Sequence, residues 1–188
     1  MRYKIIFIVT VVLLMAIPAT AVQMRTAATS KGASLVSGML SFSSQGGDLY
    51  SWEDDRLTTI AIVPSYFYFV APGMGIGGDI SYNRMSQGDH SLTNLGIGPK
   101  IGYFIDSGSP SIPYIAGGIN YLSIGDEDDS ESGWRFKFGG GVLIRQGHLA
   151  VAIEADYFMD RFTFEEADKA TTGNAIIVAV GLAGFLYK

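Results

Sequence analysis

From residue 33 onward, apolar and polar side chains alternate with a period of two, which marks strands whose two faces meet different surroundings. The clearest run is 134–145. Trp134, Phe136, Phe138, Val142 and Ile144 share one face, and Arg135, Lys137, Gly139, Gly141, Leu143 and Arg145 share the other. The next run repeats the pattern, with Leu149, Val151, Ile153, Ala155, Tyr157 and Met159 set against Ala150, Ala152, Glu154, Asp156 and Phe158. Gln146-Gly147 between the two runs predicts a two-residue hairpin loop. With residue 145 facing 148, Lys137 comes opposite Asp156, Gly139 opposite Glu154 and Phe136 opposite Tyr157. All charges then fall on one face, and a slip of one residue would mix the faces.

Six further strands are expected near 33–43, 57–70, 74–85, 92–105, 113–124 and 174–187, making eight with this pair. Runs of this length exceed the five or six residues usual in globular proteins. They suit tilted strands that cross a membrane, which need about 9–11 residues each. The connections sort by length and charge. Long or acidic ones fall at 44–56, 86–91, 125–133 and 160–173, and they alternate with Ala71-Pro72-Gly73, 106–112 and Gln146-Gly147. An even strand number puts the first kind on one side and both chain ends on the other. Of the 18 carboxylates, fourteen fall in the first kind, including Glu131 and Asp160, while the opposite side has Asp106. Asp79, Glu154 and Asp156 lie within strands.

No second layer of helix or sheet is available to cover so wide an apolar face, so the sheet is expected to close on itself and remove its edges. Two closures are possible. A soluble, lipocalin-like barrel would bury the apolar face around a ligand; a membrane barrel turns that face to lipid and keeps the polar one inside. The inward candidates of the second closure are Asp79, Lys100, Arg135, Lys137, Arg145, Glu154 and Asp156, interleaved with Gly96, Gly98, Gly102, Gly139 and Gly141. Small residues beside opposite charges fill a narrow lumen well, and this favours the membrane form. Aromatics near strand ends (Tyr66 to Phe69, Tyr82, Tyr103, Phe104, Tyr114, Trp134, Tyr157, Tyr187) fit interfacial girdles. The fold class expected is all-β: a closed eight-stranded antiparallel up-and-down transmembrane barrel.

The N-terminus reads as an address rather than as structure. Arg2 and Lys4 precede an apolar stretch, Ile5 to Ile17, and Ala19-Thr20-Ala21 supplies the small residues of a cleavage site. As a helix that stretch would span about 20 Å, short of a ~30 Å hydrocarbon core. The expected organisation is a signal peptide at 1–21, a short periplasmic segment at 22–32 and one barrel domain at 33–188. Composition adds two exclusions. A net charge of −5 argues against nucleic acid as a partner, and the absence of cysteine excludes disulfides and thiolate metal sites.

Four phrases carry a family resemblance: Gly98-Pro99-Lys100-Ile101-Gly102-Tyr103-Phe104, Pro113-Tyr114-Ile115-Ala116-Gly117-Gly118-Ile119, Phe138-Gly139-Gly140-Gly141-Val142 and Ala152-Ile153-Glu154-Ala155-Asp156-Tyr157. With them, residues from about 32 to 188 resemble the small eight-stranded outer-membrane β-barrel proteins of Gram-negative-type bacteria, the OmpX/opacity-protein and "porin family" group. The resemblance implies an outer-membrane monomer with periplasmic termini, acidic extracellular loops, and outer-membrane lipid and lipopolysaccharide as surroundings. It also implies a structural or surface-interaction role such as adhesion or envelope integrity. Such proteins end on an aromatic residue; Phe185 and Tyr187 match, and Lys188 after them departs from the pattern.

Three kinds of chemistry are weighed against this. The lumen charges either line a narrow passage for small solutes or form a structural plug, and an eight-stranded barrel is just wide enough for side chains to fill. Asp126, Asp128 and Glu131 are weak candidates for a divalent cation, lacking the glycine and glutamate spacing of an EF-hand. Asp89-His90-Ser91 and the lone His148 hold the residue types of a lipid A hydrolase, but chain neighbours seldom converge into a triad. The chain is expected to be no enzyme and to need no cofactor.

Overall fold

A computed structural model describes residues 27–45, 57–88, 90–125, 130–162 and 171–187. After a 3₁₀ turn at Ala27–Thr29 come β1 (Ser34–Gln45), β2 (Leu57–Ala71), β3 (Met74–Gln87), β4 (His90–Phe104), β5 (Ser111–Gly125), β6 (Ser130–Gln146), β7 (Leu149–Phe162) and β8 (Thr171–Leu186). Each strand pairs antiparallel with the next, and β8 returns to β1 to close the barrel. All eight strands expected from the alternation are present. Several run further than the apolar pattern at the end carrying the longer connections, hereafter the loop end. Glu131 and Asp160, read from sequence as connection residues, therefore belong to β6 and β7. The ladder continues there because Arg135 and Asp160 are direct cross-strand partners.

The β6–β7 register corrects the sequence reading by two residues. Gln146 pairs with Leu149, so the loop is Gly147-His148 rather than Gln146-Gly147. Gly147 takes φ of 65° while His148 stays negative, the pattern of a type II′ turn with glycine at its first central position. Lys137 consequently faces Phe158, not Asp156. Gly139 faces Asp156, Gly141 faces Glu154, and Phe136 faces Met159. Because the shift is even, every side chain keeps the face assigned to it.

That assignment is plain in the exposures. Phe136, Val151 and Tyr157 are 43%, 43% and 45% exposed, and with Phe138, Ile153, Val178 and Leu182 they form part of an outer apolar band. Their inward neighbours Leu143, Ala150, Ala152 and Glu154 are buried. At the end carrying the tight turns, the turn end, the lumen is filled by Leu35, Phe67, Phe69, Phe104, Ile112, Leu143 and Phe185. Phe104 is the hub of this cluster. It meets Phe67 and Phe69 edge-on at 5.3 and 5.2 Å and stacks on Tyr114 at 5.1 Å. The sequence reading had placed Phe67, Phe69, Phe104 and Tyr114 in an outer girdle. In Tyr66-Phe67-Tyr68-Phe69 the alternation sends only the tyrosines outward, at 45% and 42% exposure. Ala28 and Ala33 join the buried cluster, and the Gly32 and Gly73 amides donate to the carbonyls of Phe69 and Thr29. The N-terminal segment is thereby tied across the mouth at the turn end.

The circuit is weakest between its first and last strands. β1 and β8 pair over seven positions, from Ser34↔Leu186 to Leu40↔Val180. Beyond Leu40, β1 stays paired with β2 as far as Gln45, and β8 stays paired with β7 back to Thr171. Toward the loop end the two edges are not paired to each other. Successive residues of β8 from Thr171 to Val178 are exposed on both faces there.

Candidate functional site

Midway along the lumen the inward positions of five strands bring charged and polar groups together. Asp79 and Lys137 make an ion pair across the barrel from β3 to β6, and their side chains are 0% and 7% exposed. Asn120 on β5 donates from Nδ2 to Asp79 Oδ1 at 2.6 Å. A second brace runs from β4 to β7, where Lys100 Nζ donates to Glu154 Oε1 at 3.3 Å. The Tyr114 hydroxyl donates to the other oxygen of Glu154, and the Lys100 ammonium lies 5.5 Å from the centre of the Phe67 ring. These contacts couple the polar layer to the aromatic cluster beneath it. Asp156, two residues from Glu154 on the same face, lies in the field of Lys100 and Lys137.

Nearer the loop end, Arg135 and Asp160 form a bidentate pair, Nε to Oδ1 and Nη2 to Oδ2, both at 2.7 Å. The guanidinium also lies over the Phe158 ring at 4.8 Å. Such two-pronged geometry is the strong form of a charge-assisted bond. Between the two polar levels lies a cavity of about 70 Å³, bordered by Met39, Ala179, Ile177, Asn120, Lys137 and Asp156 among others. Ser81, Asn83, Asn94 and Asn120 each have a buried polar atom without a hydrogen-bond partner among the described residues. Of these, Ser81, Asn83 and Asn120 border the cavity, whose lining is otherwise largely apolar.

Six of the seven inward charges proposed from sequence thus line one stretch of lumen. Arg145, the seventh, stands apart at the turn end, half-buried beside the Pro110 connection, where its amide donates to the Pro110 carbonyl. The expected Lys137–Asp156 cross-strand pair is replaced by Lys137–Asp79. Asn120, Tyr114 and Asp160 were missed. For Asn120 the signal was present, since an asparagine on the inward parity of an otherwise apolar strand needs a partner.

The other candidates do not assemble. Asp126 and Asp128 lie outside the described residues, and Glu131 sits on β6 opposite Ile124. Among the described residues no three histidine, aspartate or glutamate side chains gather as metal ligands. His90 is exposed at the loop-end start of β4, and Asp89 lies outside the described residues. His148 is at the other end of the barrel, stacked on Tyr187 at 4.5 Å with Nδ1 3.1 Å from the Phe185 carbonyl oxygen.

A closed eight-stranded barrel with an apolar exterior and a charge-paired interior defines a membrane-spanning β-barrel. The model of the outer membrane protein beta-barrel domain family matches residues 7–183, and the chain belongs to that family. Its place is accordingly the outer membrane. No curated protein matches the sequence. Among solved structures the chain is similar to the outer membrane protein OprG from Pseudomonas aeruginosa, with 13% identity, 85% of this chain and 98% of that one covered, and a TM-score of 0.52. It is also similar to Neisserial surface protein A at 15% identity, 83% and 96% coverage and a TM-score of 0.45. For the Yersinia pestis protein Ail the figures are 12% identity, 84% and 100% coverage and a TM-score of 0.45.

Proposed function

We propose that this barrel is a non-conducting outer-membrane scaffold whose role is exercised at its surface, through the acidic connections at the loop end. The observation that carries the reading is the filled lumen. An aromatic cluster, the N-terminal segment and two crossed ion pairs occupy a barrel too narrow to hold them and a water channel together. The sorting of carboxylates supports an orientation with the turn end in the periplasm and the loops outside. Repulsion among the acids keeps such loops solvated and available to partners. In planar bilayers the full-length protein is expected to give no discrete conductance steps. Regular steps from the purified wild-type protein would overturn the scaffold reading.

A second reading, passage of small hydrophobic solutes, is favoured by one feature. The unpaired stretch between β1 and β8 adjoins the cavity, because Met39 and Ser41 on one strand and Ile177 and Ala179 on the other border it. A disulfide between Ser41→Cys and Ala179→Cys, one level beyond the last pair, would lock this seam in a chain that has no cysteine of its own. If the seam is a route, vesicles carrying the oxidised variant take up an apolar dye several-fold more slowly than the reduced form. Equal rates exclude the route.

A further inference from the structure

Charged side chains in the strands divide by face. Apart from Arg145 at the turn end, the inward cations Lys100, Arg135 and Lys137 each have a carboxylate partner. Arg84 on β3 and Arg161 on β7 point outward, both near the loop end, and neither makes an ion pair among the described residues. An arginine facing lipid costs about 2–4 kcal/mol at the bilayer midplane and close to nothing at the interface, so its height decides what it can meet. Trp134 is the direct cross-strand partner of Arg161. The ten residue steps from Ile144 to Trp134 along β6 span roughly 33 Å of strand, or about 25 Å along the normal at the usual tilt. That equals the height of the apolar band. Trp134 and Arg161 therefore stand at its loop-end border.

Around Arg161 the surface is shaped rather than flat. Tyr121, Ser132, Trp134 and Phe136 border an outward groove of about 340 Å³ that Arg161 closes on the β7 side. Tyr121 and Trp134 meet edge-to-face at 5.4 Å, which fixes the indole. The direct cross-strand neighbours of Arg161, Trp134 and Thr172, are uncharged, and the guanidinium makes no ion pair among the described residues. Arg84 has no such setting, since it stands between Ile60 and Thr93 with no aromatic partner across the strand.

We propose that Tyr121, Ser132, Trp134 and Arg161 form a binding site for the phosphate of a phosphorylated glycolipid in the outer leaflet. The guanidinium fork matches two phosphate oxygens. The Ser132 hydroxyl and the indole N–H are further donors, and the aromatic faces lie against the lipid's sugar and upper acyl chain. The acidic connections above repel an unanchored anion, so the rim cation is what allows a phosphate to sit beneath them. The ligand's leaflet rests on the orientation proposed above. The test does not, because it uses purified protein in detergent, so failure of the site and failure of the orientation are distinguishable.

The probe is diphosphoryl lipid A, titrated against the full chain carrying Trp52→Phe so that Trp134 is the remaining indole of the two in the sequence. Saturable change in its emission is expected with lipid A, and none with chemically dephosphorylated lipid A or inorganic phosphate. Arg161→Gln is expected to weaken binding at least tenfold, Arg161→Lys less, and Arg84→Gln not at all. Heat-modifiable gel mobility reports whether each variant is folded. Equal response to the dephosphorylated lipid, or to inorganic phosphate, overturns the site using the wild-type groove alone. So does unchanged affinity in folded Arg161→Gln.

Discussion

Lys137→Met is expected to lower the unfolding free energy of the barrel by about 3–5 kcal/mol, the cost of leaving a buried charge without its partner. The methionine keeps the length of the side chain and removes only the ammonium. Asp79, whose side chain is 0% exposed, would then retain the single hydrogen bond from Asn120. An ion pair so deeply buried adds little net stability, because desolvation offsets most of its attraction. The damage comes from the orphan, not from the lost bond. Asp79→Asn combined with Lys137→Met should therefore recover most of the loss. Urea unfolding in detergent or vesicles, followed by tryptophan emission, measures all three variants. A single variant within about 1 kcal/mol of wild type would mean that the lumen tolerates a lone carboxylate.

Phe104→Ala has a second readout as well as a large cost. Phe104 is 2% exposed and touches three other rings, and truncating so well-packed an aromatic typically costs about 3–5 kcal/mol. It also removes the hub of the packing that fills the lumen near the turn end. Small conductance steps absent from the wild type should then appear in planar bilayers. A variant that is both stable and silent would show that the rings are not what closes the barrel.

The sequence made some of this legible and left the rest hidden, for reasons of period and distance. A two-residue repeat is a statement about faces, and the exposure of Phe136, Val151 and Tyr157 follows it. The same repeat is blind to any even slip, which is why Lys137 was set against Asp156 rather than Phe158. The ladder itself decides between those registers, with Gln146 paired to Leu149 around Gly147-His148. Nor does alternation say what lies across the lumen. Asp79 and Lys137 are on strands that are not neighbours in the sheet, so no spacing along the chain announces their pairing. The inward rings were misplaced for another reason: Phe67 and Phe69 stand between outward tyrosines, and proximity to a strand end outweighed parity in reading them.

Closure brings its own consequence through the two crossed ion pairs. They act as spokes, joining β3 to β6 and β4 to β7, strands separated by two others in the circuit. A half-built sheet containing β3 but not β6, or β4 but not β7, would carry their carboxylate or ammonium with nothing to neutralise it. Contacts of such long sequence separation also form late and slowly. The wheel therefore rewards completion and penalises every intermediate arc, so truncating the chain after β5 should leave no residual folded unit.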